Sequence, residues 1–206
     1  WRRVPVQKFP EKVVEQEFTA ELVIRAYASG IFPMGGEDGK IRWYSPDPRC
    51  VIDLEDFHIS RRLARTYRQS KFEIKVNADW DGVLQGCAER DTTWITDDIY
   101  RVYTKLHRIG LAHTVEAYLD NQLVGGLYGV SIGGAFMGES MFHTATDASK
   151  VCLVYLVERL KERRFSLLDS QYMTSHLSRF GARLIAREEY LLRLHEALMR
   201  RECRFA

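Results

Sequence analysis

The segment Gly138-Glu139-Ser140-Met141-Phe142 constrains the fold of this chain more than any other feature of its sequence. It follows the apolar run 124–130 and a glycine pair, and it places one carboxylate beside a glycine and large apolar side chains. A charged group at the end of a buried strand is costly unless another group pairs with it. The segment predicts a functional carboxylate or a glutamate held by backbone donors in a turn, and by itself it does not separate the two.

Composition indicates a globular protein with one good core. The 206 residues are 46% hydrophobic and 28% charged, which are ordinary values for a folded domain. No apolar run reaches the length that spans a bilayer, and no basic-then-apolar leader precedes the fold. We therefore expect a cytoplasmic protein with no membrane partner. The net charge of +2 does not by itself indicate a nucleic-acid partner.

The cysteines and histidines predict neither disulfides nor a metal site. The cysteines lie far apart and form no CxxC pattern, and they are Cys50, Cys87, Cys152 and Cys203. The six histidines are equally scattered. We expect reduced thiols, no metal and no cofactor.

A basic stripe follows Ser60, which is a suitable helix N-cap. Arg61, Arg65 and Arg68 fall at i, i+4 and i+7 of the helix that would start there. Arginines in a first turn oppose the helix dipole, a penalty that a bound phosphate would offset. The stripe predicts a phosphate-binding face, with a solvated charged surface as the alternative.

Periodicity and turn residues divide the chain into short elements. Helices are predicted at residues 17–28, 61–71, 80–87, 98–109, 148–163, 175–180 and 188–200. Strands are predicted at residues 41–44, 51–54, 72–76, 115–119, 123–130, 135–141, 165–170 and 184–185, with a loop over residues 30–39. This order predicts an α+β or mixed-sheet α/β fold.

The turn Ser45-Pro46-Asp47-Pro48 is the best candidate for a domain boundary. Two prolines two residues apart exclude a continuing helix. The sequence therefore predicts a small N-terminal domain at residues 1–46 and a larger domain at residues 47–206.

Seven motifs in register resemble the leucyl/phenylalanyl-tRNA–protein transferases of bacteria. Besides residues 138–142 they lie at residues 30–33, 45–49, 56–61, 93–96, 123–130 and 168–171, and the resemblance runs from about Tyr27 to about Tyr190. It implies an acetyltransferase-like (GNAT) fold. It also implies transfer of Leu, and of Phe and Met, from aminoacyl-tRNA to the α-amine of proteins that begin with Arg or Lys, which marks them for degradation.

A coenzyme-A acetyltransferase is the first rival for such a fold. That chemistry holds a pyrophosphate on backbone N–H groups of a glycine-rich turn that opens a helix. The corresponding turn at residues 142–148 has no glycine, and Asp147 would place a negative charge against the phosphates. The sequence therefore argues against coenzyme A.

The resemblance also implies the site residues. Asp169 and Gln171 are the proposed catalytic pair, and as i and i+2 of a strand they share one face. Glu139 would bind the aminoacyl ammonium or the terminal adenosine. The remaining positions assigned to substrate binding are Met34, Trp94, Leu127, Ser140, Met141, Phe142, Leu156 and Leu168.

Three positions of this pocket depart from the best-known members of the family. Met34, Leu127 and Leu156 stand where those proteins have Trp, Met and Phe. We expect a changed ratio of Leu to Phe, or weaker stacking on the terminal adenine. Two alternatives to the predicted function remain: a leucyl transferase acting on N-terminal Asp or Glu, and a tRNA-binding module of the same fold without coenzyme A.

Overall fold

The computed structural model describes residues 17–36, 38–89 and 93–206. The first sixteen residues of the predicted N-terminal domain lie outside the described residues. The helices are α1 (Ala20–Ala28), α2 (Arg61–Arg68), α3 (Trp80–Ala88), α4 (Asp97–Arg108), α5 (Ala148–Glu162), α6 (Ser175–Ser178) and α7 (Arg187–Leu198). The strands are β1 (Phe32–Gly35), β2 (Ile41–Tyr44), β3 (Arg49–Ile52), β4 (Glu73–Val76), β5 (Ala112–Leu119), β6 (Gln122–Ile132), β7 (Ala135–His143), β8 (Leu167–Gln171) and β9 (Arg183–Ile185).

A mixed seven-stranded sheet forms the centre of the fold, in the order β4-β5-β6-β7-β8-β3-β9. Neighbouring strands are antiparallel except β7 and β8, which run parallel and are connected through α5. The parallel pairing covers only Ala135–Met137 against Leu167–Asp169, although β7 continues to His143. This mixed sheet confirms the predicted α/β class.

Helices cover both faces of the sheet. On one face α1, α3 and α4 enclose a core that includes Tyr27, Trp80 and Tyr103. On the other face α5 is buried along most of its length and packs with Leu63 of α2. Because residues 151–154, 156 and 157 of α5 are apolar and buried, this part of the helix fits only between the sheet and further protein.

The predicted loop at residues 30–39 contains a strand that the sequence did not indicate. Phe32–Gly35 pairs with β2 as a separate antiparallel ribbon, in which Pro33 lies opposite Trp43. A proline lacks the N–H that a central strand needs, but the edge of a two-stranded ribbon tolerates it. Proline and glycine therefore gave the wrong prediction here.

Side-chain caps mark the first turn of several helices. Ser60 accepts a hydrogen bond from the Leu63 N–H at the start of α2, as expected. Thr19 and Thr96 cap α1 and α4 in the same way. Among the described residues, no helix is both long and apolar enough to cross a bilayer.

Candidate active site

A cavity of about 530 Å³ opens where β7 and β8 stop pairing. Strands β6, β7 and β8 and helix α5 contribute to its wall, as do β1 and the segment before α4. The sequence assigns eleven residues outside the basic stripe to catalysis or substrate binding, and all of them except Phe142 line the cavity. The ten that line it are Met34, Trp94, Leu127, Glu139, Ser140, Met141, Leu156, Leu168, Asp169 and Gln171.

A β-bulge places Glu139. Ser140 lies opposite Tyr128 and Gly138 lies opposite Gly129, so Glu139 is the extra residue of β7. A bulge of this kind bends the strand and redirects a side chain. Met137 is the last residue of β7 that pairs with β8, and the bulge follows it. The carboxylate of Glu139 lies in the cavity wall.

Two tyrosines from separate helices meet Glu139. The hydroxyl of Tyr27 in α1 donates to Glu139 Oε1 over 2.6 Å, and it lies 2.5 Å from the hydroxyl of Tyr103 in α4. Burial raises the pKa of Glu139 to about 8; the charge of Asp169 acts in the same direction, whereas the hydrogen bond from Tyr27 acts against it. The carboxyl group is therefore able to change its protonation state near neutral pH.

Asp169 is fully buried and held on both oxygens. Arg49 forms a bidentate pair with it, from Nε to Oδ1 over 2.9 Å and from Nη2 to Oδ2 over 2.7 Å. The hydroxyl of Tyr190 donates to Oδ2 over 2.8 Å, and the backbone N–H of Gln171 donates to Oδ1 over 3.0 Å. With its lone pairs engaged in this way, Asp169 is suited to fixing its neighbours rather than to accepting a proton.

Gln171 connects the two carboxylates. Its backbone is left-handed, with φ of 58°, and its N–H bond to Asp169 holds this uncommon conformation. Its side-chain Nε2 donates to Glu139 Oε1 over 3.3 Å. The carboxamide oxygen is therefore the end of Gln171 that is left to accept a hydrogen bond from a ligand.

The other wall of the cavity is apolar. Leu127, Met141 and Leu168 come from three successive strands, and Leu156 comes from α5 beneath them. Trp94 lies in the segment before α4. The backbone carbonyl of Trp94 accepts a hydrogen bond from the Gly35 N–H over 3.1 Å. This bond places Trp94 beside Met34.

Phe142 does not line the cavity with the other predicted residues, so its position does not support the assignment to substrate binding. Its ring packs against α3 on the opposite face of the sheet, so close that a Cβ added at Gly86 would lie 2.6 Å from it. Alternation along β7 explains the difference, because Met141 faces the cavity and the next side chain faces away.

The basic stripe lies on α2 and outside the cavity. Arg61, Arg65 and Arg68 are exposed, and none of the three forms an ion pair with a described residue. The intervening Arg62 pairs instead with Asp147 at the start of α5, and Lys150 also binds Asp147, over 2.9 Å. The turn that carries Asp147 therefore joins α2 to the cavity side of α5.

Four residues of the site were not predicted as site residues: Tyr27, Arg49, Tyr103 and Tyr190. Arg49 is the only one with a local signal, because it is a charge placed directly before the apolar run 50–52. The tyrosines lie at ordinary apolar positions of helices. No group of three or more His, Cys, Asp or Glu side chains among the described residues has the arrangement of a metal site.

The fold and this cavity define a mixed α/β domain with a carboxylate–amide group beside an apolar pocket. The family profile "Leucyl/phenylalanyl-tRNA protein transferase" matches residues 51–195, and the profile of that family's N-terminal domain matches residues 16–47. The chain belongs to this family.

Individual relatives agree with the profiles. A leucyl/phenylalanyl-tRNA–protein transferase of Rubrobacter xylanophilus is 50% identical over 181 residues, which cover 87% of this chain and 95% of the relative. A second transferase of this name, from Herpetosiphon aurantiacus, is 51% identical over 184 residues, which cover 89% of this chain and 96% of the relative. Among solved structures, a GCN5-related N-acetyltransferase-like protein from Streptococcus suis has a TM-score of 0.39 at 14% identity and covers 81% of this chain and 64% of that chain.

Proposed function

We propose that this chain transfers Leu, and also Phe and Met, from aminoacyl-tRNA to the α-amine of proteins that begin with Arg or Lys, and that this marks them for degradation. Membership of the family supports aminoacyl transfer from tRNA to a protein. The observation that carries the proposal is the position of Gln171, between the buried Asp169 and the partly buried Glu139 and at the wall of an apolar cavity.

The apolar wall supports a donor with an uncharged side chain. Leu127, Leu156 and Leu168 offer no hydrogen-bonding group, so a charged side chain there would lose its solvation without gaining a partner. Trp94 at the cavity is suited to stacking on the terminal adenine of the tRNA. Met34 next to it adds an adaptable apolar surface.

The proposed reaction needs no cofactor, because the aminoacyl ester is already activated. The neutral α-amine of the acceptor attacks the ester carbonyl carbon, a C–N bond forms, and the C–O bond to the ribose breaks. One proton of the amine ends on the ribose oxygen that leaves. Gln171 accepts a hydrogen bond from the attacking amine through its carboxamide oxygen, and Asp169 positions Gln171 through the backbone bond.

We assign Glu139 to the donor. Its carboxylate, with a pKa raised to about 8, becomes more acidic when a cation binds beside it, which suits the α-ammonium of the aminoacyl group. The alternative is a hydrogen bond to the terminal adenosine. A donor that lacks the α-amine distinguishes these two assignments of Glu139. If Glu139 binds the α-ammonium, the effects on KM of Glu139→Gln and of removing the amine should be non-additive. If Glu139 binds the adenosine, the two effects should add.

The acceptor stem of the tRNA would lie on α2. Arg61, Arg65 and Arg68 present three unpaired charges to solvent, and α2 is joined to the cavity side of α5 by the Arg62–Asp147 pair. We place the reaction in the cytoplasm, where charged tRNA is found.

An acceptor panel tests the proposal. Leu-tRNA carrying radiolabelled leucine is incubated with one carrier protein that begins with Arg, Lys, Asp or Glu, or with Arg whose α-amine is acetylated. We expect label on the Arg and Lys proteins alone, and about 10²–10⁴-fold slower transfer by the Gln171→Ala variant. Labelling of the Asp or Glu proteins instead would overturn the acceptor assignment, and no labelling at all would overturn the function.

A further inference from the structure

The cavity has a polar end that the proposed chemistry does not use. His143 at the end of β7, Ser149 in the first turn of α5 and His176 in α6 all line it. Ser149 Oγ lies 3.4 Å from His143 Nδ1, so two of the three already contact each other.

His176 is the least satisfied member of this group. Its Nε2 is buried and has no hydrogen-bond partner among the described residues. The ring packs against Phe180, with centroids 5.1 Å apart and planes at 66°. Folded proteins rarely leave a buried nitrogen unpaired, and an exception beside a cavity points to a ligand.

Positive charge surrounds this end of the cavity. The pKa of His176 is lowered by burial and then by the charges of Lys150, His143 and Arg179, which are its charged and titratable neighbours. The nearby acid, Asp147, is buried and already shared between Arg62 and Lys150. The N-terminus of α5 adds a partial positive charge. An anion is therefore the ligand that this end favours.

We propose that His143, Ser149 and His176 bind a backbone phosphate of the single-stranded 3′ end of the donor tRNA. The inference rests on the proposed function, which makes aminoacyl-tRNA the donor. The exposed arginines lie on α2, and the Arg62–Asp147 pair joins α2 to the start of α5, where Ser149 lines the cavity. When the phosphate binds, the His176 ring turns about its Cβ–Cγ bond and presents Nε2 to a phosphate oxygen.

Binding of non-reactive donor analogues tests the site. The probe is leucyl-CpCpA in which an amide replaces the ester, prepared either with two phosphodiesters or with a neutral methylphosphonate at one linkage. Calorimetry should show that one of the two replacements weakens binding about tenfold in the native protein, because a charge-assisted hydrogen bond is lost. In the His143→Gln/His176→Gln variant the same replacement should change affinity less than about twofold.

A matched control is His195→Gln, because His195 is exposed on α7 and does not line the cavity. This variant should keep the tenfold difference. Equal affinity of all three analogues for the native protein would overturn the site, as would a difference that persists in the double variant.

A spectroscopic measurement covers the case in which the double variant does not fold. The ring ¹⁵N resonances of His176 in the native protein should shift with the phosphodiester analogue and not with the methylphosphonate analogue that binds weakly. Unchanged resonances with both would overturn the proposal. Neither measurement requires aminoacyl transfer. If the protein prefers the phosphodiester analogue but transfers no amino acid, only the proposed function is refuted. If it transfers amino acids but binds all three analogues equally, only this inference is refuted.

Discussion

At the scale of single residues, the site contrasts a buried carboxylate, Asp169, with a partly buried one, Glu139. Asp169 is paired with Arg49 and hydrogen-bonded by Tyr190, whereas the hydrogen bonds that reach Glu139 come from neutral tyrosine and amide donors. Different surroundings of this kind let two carboxyl groups of one cavity perform different tasks. Asp169 fixes the geometry of the site, and Glu139 is free to respond to a ligand.

The Asp169–Arg49 pair is expected to stabilise the fold as well as the site. Asp169→Ala leaves the Arg49 guanidinium buried without its partner, so we expect a loss of about 3–5 kcal/mol in the free energy of unfolding, measured by urea denaturation. The matched control is Asp53→Ala, because Asp53 also pairs with two arginines but is partly exposed. The control should lose about 1 kcal/mol or less. Similar losses in both variants would show that burial of the pair is not important for stability.

Glu139 is expected to make stability depend on pH. Its pKa is about 8 in the folded chain and is near its ordinary value of 4.5 when the chain is unfolded. Between these values the folded state keeps a proton that the unfolded state has lost, so this contribution falls as the pH rises from about 4.5 to about 8. The Glu139→Gln substitution removes the carboxyl group that titrates.

Urea denaturation of both proteins from pH 5 to pH 8 checks this dependence. The native protein should lose stability relative to Glu139→Gln as the pH rises toward about 8. Histidines with lowered pKa values, such as His113, change stability in the opposite direction but cancel in the comparison. Parallel pH profiles would contradict the account of Glu139.

The residues of the site were predictable only where a local pattern marks them. Glu139 stands out as a charge after a buried strand, and Asp169 and Gln171 were assigned through the resemblance. Arg49 precedes Asp169 by 120 positions in the chain, and the pairing of β3 with β8 brings them together. Tyr27 and Tyr103 occupy apolar positions of α1 and α4, where a phenylalanine would give the same pattern.

At the scale of elements, the structure depends on interruptions of regular pairing. The bulge at Glu139 and the end of pairing between β7 and β8 together create the cavity. The start of α2 was predictable because Ser60 is a suitable N-cap. The bulge at Glu139 was not predictable from the sequence, because one extra residue in a strand leaves no periodic signal when the segment also contains glycine and serine.

The basic stripe on α2 is expected to bind tRNA through its phosphates. Reversing Arg61, Arg65 and Arg68 to Glu should weaken tRNA binding and reduce the slope of log affinity against log salt concentration by about 2–3. Filter binding at several salt concentrations measures both. The matched control reverses three exposed arginines outside the stripe, Arg108, Arg163 and Arg201. If both triple variants lose the same affinity, the stripe is a solvated surface without a specific role.

At the scale of the whole molecule, the sheet separates two cores and the cavity reaches both. Met34 and Trp94 belong to the side packed by α1 and α4, whereas Leu127 and Leu156 belong to the side packed by α5. In the proposed complex, the terminal adenosine of the aminoacyl-tRNA would lie on one side of the sheet edge. The side chain of the transferred amino acid would lie on the other. The division into domains at residues 46 and 47 stays a prediction.

Competition between donors tests the central claim most directly. tRNAs charged with Leu, Phe, Met, Val, Ser, Asp, Lys or Arg are mixed with an Arg-starting protein in a single-turnover reaction, and mass spectrometry identifies the residue added. We expect Leu first, with Met and Phe also transferred, and Val about 10–200-fold less than Leu because one methylene contributes little in an apolar pocket. Asp, Lys and Ser should not be transferred, since their polar groups would be stranded among leucines. Transfer of Arg in preference to Leu, or no transfer from any tRNA, would contradict the account.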